Sequence, residues 1–339
     1  MSDNKQWILY GILGGSITFN FLNIFSESTT EQAIVNHIEE MEVLPEDIDQ
    51  AVVEDAELPT VQSQEKSQNS STSILSSEWS VIHASVQSNL TVTFRESGVE
   101  DADGLSSVFS RLFVWDVNMG KDLQPGDKVE VIYRTGEDGF PEIAAARLNS
   151  KKYGKTFTAF QWKAPNDKYP SYWMFDGTEV SYQLKNSPIN DYEQVISLLK
   201  DGRGHKGMDF KAPVGTPSFS PQKGVVTRVN FGNSRYNGNC VEVKYADGTL
   251  AKWLHMEKIT VKEGQTVNAG DQVGLVGNTG RSFGPHLHYQ LNQSNGNVID
   301  PVKYHGTYRR KLHDRDVTAF LQDVGVYINA LDTSILAER

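Results

Sequence analysis

The chain has 339 residues, 38% of them hydrophobic and 10% aromatic, which is enough for more than one folded domain. Its formal net charge is −11. No concentration of Lys and Arg offers a surface to phosphates, which excludes nucleic acid as a partner. A single cysteine, Cys240, leaves no intramolecular disulfide, so burial must hold the fold, helped by a metal where ligands allow.

From Trp7 to Phe25 no residue is charged. As a helix this stretch is roughly 28 Å long and just spans a hydrocarbon core. Thr18, Asn20 and Asn23 weaken it, so a secretory signal peptide is the alternative. The start Met-Ser-Asp-Asn-Lys is poorly basic and no Ala-x-Ala site follows, which favours an uncleaved membrane anchor over residues 1–26. Lys5 precedes the span, whereas Glu27 to Glu57 holds eleven acidic residues and no Lys or Arg. That bias places the bulk of the protein outside the cytoplasm. Residues 27–77, including the polar run Val61 to Ser73, cannot repay their ordering entropy and read as an acidic disordered linker. A short solvated helix over Ala33 to Met41 is the one element expected there.

Val81 to Phe94 alternates apolar and polar residues before a loop. Leu105, Val108, Phe109, Leu112 and Phe113 fall at helical spacing, and Pro125-Gly126-Asp127 leads into a strand over Lys128 to Tyr133. Further strands are expected at Glu142 to Leu148, Lys155 to Trp162, Tyr172 to Phe175 and Val180 to Leu184. Residues 78–190 thus read as a β-rich α+β module. Cys240 opens an apolar alternating run to Tyr245 and reads as a buried strand residue. Residues 304–339 form a helical tail. Val317, Phe320, Leu321, Val324, Ile328 and Leu331 give Asp314 to Leu336 an amphipathic stripe that packs on the domain before it, with a protein partner as the alternative.

Four of the eight histidines lie in three short segments: His205-Lys-Gly-Met-Asp209, Leu254-His255-Met256 and His286-Leu-His288. A hydrolytic zinc site takes three ligands from neutral imidazole and carboxylate and leaves a fourth position for water, a need that His, Asp and His satisfy. In His286-Leu287-His288 both imidazoles point to one face of a strand. His205 and Asp209 also differ by an even number, with Gly207 between them marking a bent or closely approached backbone.

These residues resemble the lysostaphin/LytM zinc peptidase family, whose pattern is H-x-x-x-D, a lone histidine, and H-x-H within Gly-Pro-His-Leu-His. GHKGMDFKAPVGTP (204–217), GQTVNAGDQVGLVGNTG (264–280), RSFGPHLHYQL (281–291) and NGNVIDP (295–301) carry the resemblance. It implies a mainly β fold, with a twisted antiparallel-sheet peptidase domain over residues 200–303. It implies one zinc per chain on His205, Asp209 and His288, with His255 and His286 as catalytic residues. One of these takes the proton of the metal-bound water, assigned to His286, and the other stabilises the oxyanion, assigned to His255. Asn278, Thr279, Arg281 and Ser282 resemble a groove wall, and Arg281 is placed to pair with a substrate carboxylate. Gln290 departs from the Glu common in relatives.

FVWDVNMGKDLQPGDKVEVIYR (113–134) resembles the module that precedes the peptidase domain in Gram-negative cell-wall endopeptidases. The resemblance implies an inhibitory or substrate-orienting role for residues 78–184, with a plain spacer as the alternative. The function implied is a zinc metalloendopeptidase that cuts peptidoglycan crosslinks at the D-Ala to diaminopimelate bond. It would be anchored in the inner membrane through residues 7–25 with its catalytic domain in the periplasm, or secreted after signal cleavage. The alternatives are a non-catalytic envelope scaffold or amidase activator, and a protease acting on Gly-rich peptides.

Overall fold

A computed structural model describes residues 75–199, 204–231 and 235–337. The expected membrane span, the helix at Ala33 to Met41 and all but the end of the acidic linker lie outside these residues. Among the described residues no helix is long and apolar enough to cross a membrane.

The first half runs β1 (Ser80–Ser85), α1 (Leu90–Glu96), α2 (Ala102–Leu112), α3 (Met119–Asp122), β2 (Lys128–Thr135), β3 (Pro141–Ser150), β4 (Lys155–Trp162) and β5 (Ser171–Trp173). The five strands form an antiparallel sheet in sequence order. The alternation read from Val81 to Phe94 divides into a strand and a helix. Asn89 Oδ1 accepts from Val92 N and caps α1, which buries Leu90, Thr93 and Phe94 at helical spacing. One face of the sheet, with Val129, Val131 and Leu148, packs on Phe94, Leu105 and Phe109 of α1 and α2.

The second half runs β6 (Gln183–Leu184), β7 (Gln194–Ser197), β8 (Met208–Lys211), β9 (Pro217–Phe219), β10 (Gly224–Asn230), β11 (Asn239–Tyr245), β12 (Leu250–Met256), β13 (Lys258–Ile259), β14 (Thr266–Val267), β15 (Gln272–Leu275), β16 (His286–Asn292) and β17 (Val298–Ile299). It ends in α4 (Pro301–His305), β18 (Thr307–Tyr308) and α5 (Asp314–Ala337). The main sheet has the order β14-β10-β11-β12-β16-β8-β7, with β17 also paired to β16. Gln194–Ser197 thus forms the strand at the outer edge beside β8.

Register divides this sheet into two chemistries. Met208, Phe210, Val241, Val243, Trp253, Leu287, Tyr289 and Leu291 face a core closed by Ile259 and Val273 of the small β13-β15-β9 sheet and by Val276 just after β15. The pairings His288↔Asp209, His288↔Leu254, Gln290↔Lys252 and Lys252↔Glu242 set their alternates on the opposite face. Every charged side chain of the central strands lies on that second face.

The apolar stripe of α5 packs on the first half instead. Phe320, Val324 and Leu331 of α5 cover the second face of the five-stranded sheet, against Ile132, Ala145, Phe160 and Trp173. Those residues stand one strand position out of phase with the set facing α1 and α2, so the module needs a second apolar cover. The approach to α5 is clamped by Arg309 on Asp116 and by Arg310, which donates to Asp167 at 2.8 and 2.9 Å and to Glu179 at 2.8 and 2.9 Å.

His305 at the end of α4 is 5% exposed, with Nε2 3.0 Å from Tyr289 Oη. Burial lowers its pKa to about 4. The unfolded chain binds that proton near pH 6.5, so His305 should cost stability as pH falls from about 6.5 to about 4, and nothing more below that. Urea unfolding at pH 7 and pH 5 should show a loss in wild type about 2 kcal/mol larger than in His305→Gln. Equal losses in the two proteins would contradict this.

Candidate metal centre and active site

His205 lies in the loop just before β8 rather than on a strand, and Asp209 is the second residue of β8. His288 pairs with Asp209 across the β16–β8 ladder. Gly207 permits the turn between the first two: a Cβ there would stand 2.4 Å from Tyr289 O and 2.8 Å from His288 Nε2. The geometry brings three atoms together. His205 Nε2 is 3.1 Å from Asp209 Oδ1 and 3.0 Å from His288 Nδ1, and His288 Nδ1 is 2.8 Å from Asp209 Oδ1.

The outward nitrogens show what these three atoms are. His205 Nδ1 lies 3.0 Å from Leu198 O and 2.8 Å from Ser197 Oγ. A carbonyl only accepts, so Nδ1 carries the proton and Nε2 presents a lone pair. His288 is fixed from further away. Gly296 O accepts from Asn292 Nδ2 at 2.9 Å, and Asn292 Oδ1 accepts from Gln290 Nε2 at 2.7 Å. Gln290 Oε1 is then turned to His288 Nε2 at 3.4 Å. The proton of His288 belongs on Nε2, and Nδ1 faces the site bare.

Three acceptors thus converge, and only protons or a cation can lie between them. Burial works against charge on Asp209, but where protons lie between the three atoms the imidazole N–H groups facing Asp209 hold its carboxyl far below the usual range. The donor set, two imidazoles and a carboxylate, is that of catalytic zinc. Tetrahedral zinc with bonds of about 2.0–2.1 Å needs donors about 3.3 Å apart, so the observed triangle opens by only a few tenths of an ångström to accept it.

His255 and His286 flank this triangle, their ring centroids 4.8 Å apart and that of His255 6.0 Å from His288. His286 shares the face of His288 by strand parity. His255 does not. Trp253 faces the core and Leu254 the site, so strict alternation would send His255 into the core. The ladder between β11 and β12 shifts register here, and His255 has φ of 63°, the single left-handed non-glycine residue among those described. This bulge turns the ring to the site, at a strain of about 1–3 kcal/mol. Gly277 makes room, since a Cβ there would lie 2.3 Å from Glu257 N and 2.6 Å from His255 O.

The segment expected to form a groove wall is divided. Thr279 O accepts from His255 Nδ1 at 2.8 Å, and Thr279 Oγ1 ties its loop to Met256 O at 3.0 Å. Ser282 Oγ donates to Gly284 O and lies 3.1 Å from His286 Nδ1, which is itself 2.8 Å from Gly284 O. Asn278 and Arg281 are exposed at the rim, beside Phe283, which is 99% exposed. Burial lowers the pKa of His255 to about 4, against the opposing pull of Thr279 O. His255 is therefore neutral, with Nε2 free to accept. His286 has an acceptor toward each ring nitrogen, Gly284 O and, at 3.9 Å, Asp209 Oδ1.

Ser197, Leu198, Asn292 and Gly296 were not expected as parts of the site. Only the alternation of Val195 and Ser197 hinted at a strand where β7 lies. Ser197→Ala should weaken zinc binding about 10- to 100-fold, as loss of a ligand's orienting partner does, with little change in the urea midpoint. Zinc titration against a fluorescent chelator checks this, and wild-type affinity in the variant would refute the orienting role.

Residues 203–301 match Peptidase family M23. The peptidoglycan DD-endopeptidase ShyC of Vibrio cholerae is 29% identical over 221 residues, 60% of this chain and 49% of that protein. The peptidoglycan DD-endopeptidase ShyA of the same organism is 33% identical over 189 residues, 52% of this chain and 42% of that protein. The chain spans about half the length of the curated relatives it matches. Among solved structures, a zinc containing peptidase from Vibrio cholerae aligns over 67% of this chain and 71% of that chain at 25% identity, with a TM-score of 0.31.

Proposed function

We propose, from the premise that residues 203–301 are a Peptidase family M23 domain, that the chain is a zinc metalloendopeptidase hydrolysing peptide crosslinks of peptidoglycan, at the D-Ala to diaminopimelate bond. The observation that carries the reading is the closed set of five groups: three converging acceptors and two imidazoles presenting Nε2 beside them. The DD-endopeptidases among its relatives support the substrate. The uncharged stretch Trp7 to Phe25 supports an envelope location with the peptidase on the periplasmic side.

His205, Asp209 and His288 would hold the zinc, which supplies Lewis acidity and lowers the pKa of water toward about 7. His255, neutral and with its Nδ1 proton committed to Thr279 O, accepts the proton of the attacking water at Nε2 and carries it toward the leaving amine. His286, whose Nδ1 proton is held by Gly284 O, would have to carry a second proton on Nε2 to donate to the oxygen of the scissile carbonyl as charge develops there. This proposed division is the opposite of the one expected from the sequence, and it rests on the burial that keeps His255 neutral. A non-catalytic scaffold would not need both flanking imidazoles oriented by carbonyls.

Incubation of purified peptidoglycan with the zinc-loaded chain should convert crosslinked muropeptide dimers to monomers, read by mass spectrometry. His205→Ala and the chelated protein should leave the dimers intact. Zinc-loaded His255→Ala should be slower by about 10²- to 10⁴-fold, the range of a lost general base. Stoichiometric zinc with unchanged muropeptides would overturn the proposed substrate.

A further inference from the structure

On the same sheet face as the metal centre, between the turn joining β11 to β12 and the turn joining β16 to β17, lies a cavity of about 330 Å³. Lys244, Leu250, Lys252 and Asn292 line it, with Gly248 and Gly296 at the two turns. The strand pairings Asn292↔Leu250, Leu250↔Lys244 and Gln290↔Lys252 set all four side chains on the face that carries His288. Its charge is cationic in a chain of net charge −11. Lys252 Nζ lies 3.2 Å from Glu242, which also receives Arg228 at 3.3 Å, so that carboxylate is shared between two cations. Lys244 is exposed.

The walls are formed before any ligand arrives. Gly248, at φ of 85°, donates to Tyr245 O at 3.0 Å, and Gly296, at φ of 88°, donates to Gln293 O at 2.9 Å. Both are tight turns of the kind glycine makes without strain. Asn292 is held between Gln290 Nε2 and Gly296 O. The floor of the cavity is therefore continuous, through Gln290, with the imidazole of His288.

Asn292 lies four positions after His288 on one strand, which puts the cavity about 13 Å from the metal centre. An extended peptide covers that distance in about four residues. A substrate whose scissile bond lies at the metal, running along the strand, would reach the cavity with its third or fourth residue.

We propose that this cavity is a remote subsite for a carboxylate of the substrate peptide, taken by Lys244 and Lys252 above the Asn292 floor. The inference rests on the reading of the chain as a peptidoglycan endopeptidase, whose substrate peptides carry free carboxylates, and it assigns one of them a place.

The test pairs binding with cleavage in the full 339-residue chain. A peptidoglycan stem tetrapeptide with free side carboxylates, and the same peptide with those groups amidated, are titrated into the zinc-loaded protein by calorimetry. Amide NMR follows Lys244, Gly248 and Gly296. The free peptide should shift these amides and bind about tenfold tighter than the amidated one. Lys244→Met/Lys252→Met should remove that tenfold difference and leave zinc content and the circular dichroism spectrum unchanged.

Equal affinity of free and amidated peptides for wild type, or an unchanged preference in the double variant, would overturn the subsite. Crosslinked dimers cut by wild type and variant alike, without the carboxylate preference, would leave the endopeptidase reading standing and remove only the subsite. Free peptide bound through the two lysines while dimers stay uncut would do the reverse.

Discussion

Three lone pairs pointed at one another across about 3 Å are what the rest of the structure serves. His205 Nε2, Asp209 Oδ1 and His288 Nδ1 come together because each imidazole is tied from behind to something that can only accept: Leu198 O for one, and a file of amides ending on Gly296 O for the other. Left to themselves these atoms would attract protons or drift apart. Filled by a cation, they become a site whose affinity must fall in acid, because the metal has to expel the protons it replaces. The edge strand β7, which lies outside residues 203–301, belongs to this arrangement because it presents Ser197 and Leu198 to the first ligand.

The same economy explains two local features of the backbone beside the site. A regular strand cannot give both Trp253 to the core and His255 to the site with one residue between them. β12 resolves this with a bulge and a left-handed histidine, and Gly277 yields the space that the bend needs. At Gly207 a side chain would meet both the backbone and the ring of the third ligand. Local strain and missing side chains thus meet where geometry is dictated by chemistry, while the five-stranded sheet, covered by α1 and α2 on one face and α5 on the other, has its own register shift at Ile132/Tyr133 away from the site. The helix α2, which covers one face of that sheet, lies against β7.

Much of this was readable from residues. Period two in His286-Leu287-His288 gave two imidazoles on one face, and Lys155 to Trp162 carried its strand boundaries openly. The amphipathic stripe of the tail was plain, but the surface it meets was not, because a stripe states that a partner face exists and not which one. His255 was identified by resemblance alone. Strand parity argued against it, and only the register shift, a long-range property of β11 against β12, reconciles the two. The orienting groups of the ligands were hidden for a different reason. They are backbone carbonyls or common polar side chains, whose types say nothing until the fold places them. The burial of His255, on which the proposed division of roles rests, is likewise not written in the spacing.

The convergence of three acceptors on one cation is tested most directly by cobalt substitution of the full chain. One equivalent of Co²⁺ per chain should give the intense visible absorption of a tetrahedral N₂O site, with protons released as the metal binds, and Asp209→Ala should lose that spectrum. A weak octahedral spectrum, or the same tetrahedral spectrum in Asp209→Ala, would mean that the three atoms do not form the site described.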